Sequence, residues 1–315
     1  MTTSSPASYE LYDLVLDRNW EGVINHCKIN PQDAAYADPD AFGETPLYLA
    51  MSLNPPCGAV SALIEANRNA IYPQTKNKDC PLHVACRFGT SYEVMYRLLC
   101  ADPATARMSS KYGKNCLFAL DDFLSASWSG DFVLPGDLSA LGKDLWAKVC
   151  LILTTAYYGK ILYSDANEYL RNFKSLRLFH CCVGVPCPYS FQKMIFKSHR
   201  QQVEELHDDS LPLSIASALP IIEEARSDFV IEHLLEYYPI AAKRVDSHGK
   251  FPLHLAINAQ KTWTGGVKRL VHAAPEIVRV PDVQTKLYPF MTAYCVQTSF
   301  LILRFEPDVM RDLVE

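Results

Sequence analysis

No sign of charge dominates this sequence. Its 315 residues hold 30 Lys and Arg against 35 Asp and Glu, a formal net charge of -5 at pH 7. The charges are spread without long blocks, so the electrostatic footprint that nucleic acid or an acidic membrane surface would need is missing. Long hydrophobic runs are missing too. The most apolar stretch, 146–159, contains Lys148 and falls short of the roughly 20 residues of a membrane span. The opening residues MTTSSPASYE lack the basic and apolar regions of a secretory signal. These absences set the expectation of a cytoplasmic protein, with the nucleus as the other compartment, and of no nucleic-acid or membrane partner.

Reaction motifs are absent as well. The sequence has no GxxxxGK[ST], no GxGxxG after a strand, no HExxH and no GxSxG. The acid pairs Asp121–Asp122, Glu204–Glu205, Asp208–Asp209 and Glu223–Glu224 read as solvated turn or helix-surface residues with no neighbour to raise a pKa. The eleven cysteines are an odd number and mostly sit in apolar runs such as LHVAC and AKVCLIL. That is the pattern of buried, reduced thiols rather than of a disulfide framework. Neither an enzyme nor a cofactor is expected.

What the chain does have is self-similarity. CPLHVACRFG, beginning at Cys80, returns as PLHLA at Pro252 to Ala256. A related opening stands at 40–50 in DAFGETPLYLA, where Gly43 suits a left-handed turn, Thr45 a helix cap and Pro46 the first helical position. The interval from Pro46 to Pro81 is 35 residues, and Cys116 in KNCLFAL follows after another 35. The next opening, Leu178 in LFHCC, comes after 62 residues, and Pro212, Pro252 and Pro289 follow at steps of 34, 40 and 37. A second marker keeps step with the first. Pro103, Pro239, Pro275 and Pro307 each end a Leu/Val-rich run, and three of them precede the next opening by 13 or 14 residues.

One unit is therefore expected to be a turn, a first helix at the PLHxA opening, and a longer second helix that stops at proline, as at 93–100 and 229–238. Neither helix buries its apolar stripe alone, so the units stack. Residues 8–30 read as two short amphipathic helices broken near Arg18–Asn19, an N-terminal cap. The period breaks at 121–145, which is rich in Ser, Gly, Asp and Pro, and an irregular extension follows at 160–175.

The TPLHxA-like openings and the DxxGxTP turn, matched by DAFGETP and partly by DSHGKFP, resemble ankyrin repeats, with a period near the ~33 residues of that family. The resemblance covers roughly residues 8 to 315. It implies an all-α, ankyrin-type α-solenoid of about seven units, residues 40–315, capped by residues 1–39. It also implies that the opening histidines His83, His180 and His254 tie neighbouring turns together. Tyr48, Phe118, Ser214 and Phe290 stand in their place in the other units.

Two chemical alternatives compete with that reading. His180, Cys181, Cys182 and Cys187, with His199 and His207 downstream, could form a zinc or redox site, although their spacing is not that of paired ligands. His83 and Cys86, at i and i+3, could form a nucleophilic pair, although nothing nearby in sequence supplies an orienting group.

The family binds protein partners through its turn tips and the exposed end of the first helix. Carried onto this chain, those positions are Phe42, Glu44, Lys76, Asn77, Lys111, Tyr112, Lys114, His248 and Lys250 at the tips, and Arg87, Phe88 and Asn258 on first helices. Phe42, Phe88 and Tyr112 read equally as partner anchors or as tip-on-tip packing. Trp128, in the long insertion, is a further anchor candidate. The implied function is a monomeric scaffold whose partner is another protein.

Overall fold

The structure is a computed structural model that describes residues 8–127, 140–221 and 224–310. Its described residues are helical and turn segments, with two isolated bridges, Asp38–Glu44 and His207–Ser210, at turn tips. Packing divides the chain into two compact units that part between Leu176 and Arg177.

The first unit opens with α1 (Glu10–Leu16) and α2 (Trp20–Ile29), separated at Arg18, whose φ is +55°. Helix pairs follow: α3 (Pro46–Ser52) with α4 (Cys57–Ala66), α5 (Pro81–Arg87) with α6 (Tyr92–Ala101), and α7 (Cys116–Ser127) with α8 (Ala140–Tyr158). A short α9 (Ala166–Arg171) lies against α8. Two layers result, because α1, α3, α5 and α7 pack in succession, as do α2, α4, α6 and α8. The core lies between the layers and holds Leu11, Leu47, Met51, Leu82 and Met95. The 19-residue α8 is buried along most of its length, with Trp146 packed edge-on against Phe173 at 5.2 Å.

The second unit repeats the pattern with α10 (Leu178–Gly184) and α11 (Tyr189–Ser198), α12 (Pro212–Ala218) and α13 (Glu224–Tyr237), α14 (Pro252–Asn258) and α15 (Lys268–Ala273), and α16 (Pro289–Thr292) and α17 (Val296–Phe305). The helices α10, α12, α14 and α16 pack in order as one layer. Tyr189 and Phe196 of α11 reach Phe229 of α13 at 4.3 and 6.5 Å between ring centres. The stack of helix pairs that the sequence implies is thus the architecture of each unit.

All seven first helices start at the residues that mark the openings. Five of those residues are proline, which gives up no useful N–H at the first helical position. Thr45 caps α3 by accepting from the Tyr48 N–H at 3.3 Å, and Gly43 takes φ +85° in the turn ahead of it. The second marker does more than stop a helix. Pro103, Pro239, Pro275 and Pro307 each begin a 3-10 turn, and 31–35, 68–71 and 200–204 take the same place elsewhere. Each of these turns follows a second helix, so the unit has three parts rather than two.

The stretch 121–145 differs from its reading as an insertion. Its first seven residues extend α7 to Ser127 and its last six lie in α8, leaving 128–139 outside the described residues. Phe123 and Leu124 continue the apolar side of α7, and Leu124 is buried. The polar residues around them masked that periodicity.

The three opening histidines are buried and bridge successive tips. Each Nε2–H donates to a main-chain carbonyl: His83 to Lys114 at 3.3 Å, His180 to Glu205 at 2.9 Å and His254 to Val280 at 2.9 Å. Burial pushes His180 down to about 4. Between that value and the ordinary one near 6.5, the unfolded chain takes up a proton that the folded chain refuses. Stability is therefore expected to fall as pH drops from about 6.5 toward 4, and a His180→Gln variant should show a shallower fall when thermal midpoints are compared across that window.

Candidate protein-binding groove

The tips of the first unit are built from tight turns with left-handed residues, Phe42 and Gly43 in the first, Lys78 in the second and Gly113 in the third. A left-handed φ of +59° at Phe42 is costly for a bulky side chain. It leaves the ring 65% exposed, with Lys76 of the next tip over it at 5.7 Å. The third tip repeats the pairing, since Lys111 lies 4.9 Å over the Tyr112 ring, which is 75% exposed. Backbone links hold the tips in register, with the Lys111 N–H donating to the Asn77 carbonyl at 2.9 Å.

Behind the second and third tips lies a groove of about 530 Å³ whose lining includes Asn77, Asp79, Arg87, Tyr112, Lys114 and Asp122. Four of these, Asn77, Arg87, Tyr112 and Lys114, are binding candidates from the sequence, drawn from two tips and one helix end. Arg87 donates to Asp79 at 2.8 Å, and because Asp79 is buried while the guanidinium is half exposed, the pair holds the cation at the groove wall. Asp79 and Asp122 are not among the binding candidates from the sequence. Asp79 is the polar residue just before an opening, as Glu44 is before Thr45, and that recurrence was the available signal. Asp122 reads as a solvated acid until α7 places it on the wall.

The remaining candidates fall differently. Phe88 is exposed at the end of α5, and Lys76 and Glu44 belong to the first two tips. His248 and Asn258 are exposed in the second unit. Lys250 is not an available tip residue, because its ammonium lies 3.2 Å from the buried Asp282 carboxylate and only 12% of its side chain is exposed. Burial would raise the Asp282 carboxyl, but the N–H groups of Thr285 and Gln284 and the Lys250 charge hold it down at about 2. Trp128 lies outside the described residues.

The two chemical alternatives are rearranged. His180 spends Nε2 on the Glu205 carbonyl, and the Cys182 thiol donates to the Phe179 carbonyl at 3.2 Å. Among the described residues, no metal-type cluster of three ligand atoms forms at 180–187. His83 pairs with Cys80 rather than with Cys86, its Nδ1 lying 3.0 Å from the Cys80 Sγ. A hydrogen bond from Cys116, with His83 beside it, holds the Cys80 thiol well below its ordinary range, whereas burial pushes Cys116 well up.

No protein-family profile matches the chain, and no curated protein is similar to it. Among solved structures, it is similar to the ankyrin repeat domain of Bcl-3, described as a unique member of the IkappaB protein family. Sequence identity is 16%, the match covers 95% of this chain and 100% of that one, and the TM-score is 0.29. No described helix is long and apolar enough to cross a membrane.

Proposed function

We propose that the chain is a protein-interaction scaffold and that the tip groove of its first unit receives a segment of a partner protein. The observation that carries this reading is the meeting of an exposed aromatic, Tyr112, and fixed charge in one groove. Tyr112 is 75% exposed in the groove with a guanidinium held by Asp79, and Phe88, also exposed, follows Arg87 at the end of α5. Exposed aromatic and arginine side chains are the residue types that dominate interface energetics. A volume of 530 Å³ has room for a few side chains of a partner loop or peptide. Its walls carry both signs, Lys114 and Arg87 against Asp79 and Asp122, which favours a polar segment bearing at least one apolar or aromatic residue.

This role needs no bond-making step. Binding would come from the aromatic anchors, with the charged walls setting register and excluding wrong sequences.

The test is affinity capture with the full chain against an Arg87→Ala/Phe88→Ala/Tyr112→Ala variant, with circular dichroism confirming equal helix content. Partners specific to the wild type should be recovered on the order of tenfold less by the variant. Equal recovery of every partner would remove this groove as the binding face.

A further inference from the structure

Beneath the groove, two thiols and an imidazole meet in the core between two repeats. One ligand atom each from Cys80, His83 and Cys116 lie within 4.8 Å of one another, and the three residues are 0%, 1% and 0% exposed. Cys80 immediately precedes α5, His83 is the third residue of that helix, and Cys116 is the first residue of α7, which packs on α5. The neighbouring first repeat shows that the fold does not call for sulfur here. Thr45 and Pro46 hold the corresponding places, and proline opens five of the seven first helices.

His83 differs from its two counterparts in the same way. His180 and His254 each bury an Nδ1 that has no partner, whereas the His83 Nδ1 faces the Cys80 sulfur. Its Nε2–H is committed to the Lys114 carbonyl, which fixes the tautomer with the Nδ1 lone pair turned toward the thiols. A carbonyl-anchored imidazole of this kind is the usual outer support of a metal-bound histidine.

We propose that Cys80, His83 and Cys116 bind a zinc ion, with Cys86 as the fourth ligand. Cys86 lies one turn on from His83 and within reach of Cys116. Although its thiol stands outside the 4.8 Å set, turning it toward the ion would complete Cys₃His, an established four-ligand zinc set. Thiolate and imidazole donors select zinc over magnesium or calcium, which take oxygen. The cysteine protons pass to solvent as the metal binds. The competing arrangement is a hydrogen-bonded cluster without metal, in which the Nδ1 accepts from the Cys80 N–H at 3.3 Å and meets its thiol. The ion would pin α5 to α7 under the groove floor, a role separate from partner binding.

The full chain, purified under reductant and stripped with a chelator, should bind one equivalent of Co²⁺ with thiolate-to-cobalt charge-transfer absorption, and one equivalent of Zn²⁺ should bleach it. A Cys80→Thr/Cys116→Pro variant carries the residues that the first repeat tolerates at those places, so it should fold and lose the absorption. Cys100→Ser, at an exposed thiol, should keep it. Three results would overturn the site: no charge-transfer band in the wild type, a band that persists in the double variant, or a Cys80–Cys116 disulfide formed in place of bound metal.

Discussion

Replacing Lys261 with methionine is expected to stabilise the second unit at neutral pH. The Lys261 residue is 2% exposed, in the turn between α14 and α15, beside a cavity of about 110 Å³ lined largely by Val183, Val185, Leu219, Pro220 and Val230. Its ammonium donates to the Ser227 hydroxyl at 2.8 Å, and among the described residues no carboxylate pairs with it. Burial alone lowers its pKa to about 8. A displacement of that size from 10.5 corresponds to about 3 kcal/mol of unfavourable burial of the charged form at pH 7. Methionine keeps the stem's volume and removes the charge, so the variant should gain up to about 3 kcal/mol, the burial cost that it no longer carries. Ser227 is not orphaned, because its hydroxyl donates to the Gly265 carbonyl at 2.8 Å.

The buried lysine also sets the sign of a pH dependence. Between about 8 and the ordinary lysine value, the unfolded chain keeps a proton that the folded chain releases, so wild-type stability should rise with pH across that window. The Lys261→Met chain should lack that rise. Urea unfolding at pH 7 and pH 10 reads both effects, and a variant less stable than wild type at pH 7 would show that the ammonium has a favourable partner.

How much of this molecule was legible beforehand follows from how local each signal is. The first-helix openings were readable because proline at the first helical position and the turn residues ahead of it lie within a few residues of one another. The 3-10 turns were not, because Pro103 or Pro239 reads locally as a helix stop whether or not a tight turn follows it. Arg87 and Tyr112 could be named from a family pattern, but their meeting in one groove depends on α7 packing against α5. Lys250 shows the opposite failure. It sits at a tip in sequence, and the acid that removes it from solvent, Asp282, is 32 residues away with no local mark. The same distance problem hides the thiol cluster, since Cys86 is the thiol on His83's own helix face while the thiols that meet it are the residue before the helix and Cys116 on the next repeat.

Gly266→Ala is expected to be the most damaging small substitution in the second unit. Gly266 joins the Lys261 turn to α15 at φ +117°, where side chains are strained whatever space surrounds them. A Cβ there would also stand 2.3 Å from Cδ1 of Ile231, and Ile231 is fully buried on α13. Two costs therefore add. The backbone conformation contributes about 1–3 kcal/mol, and forcing Ile231 off its packing contributes a further 1–3 kcal/mol or so. Together, at about 2–6 kcal/mol, they reach the low end of an ordinary domain's stability, roughly 5–15 kcal/mol. The two can be separated with a double variant. Ile231→Val removes the Cδ1 that the new methyl would strike, so Gly266→Ala should cost less in that background than in the wild type, the difference measuring the clash and the remainder the backbone. Urea midpoints of the four proteins supply the cycle. Equal costs in both backgrounds would mean that Ile231 yields freely and that the left-handed turn alone demands glycine.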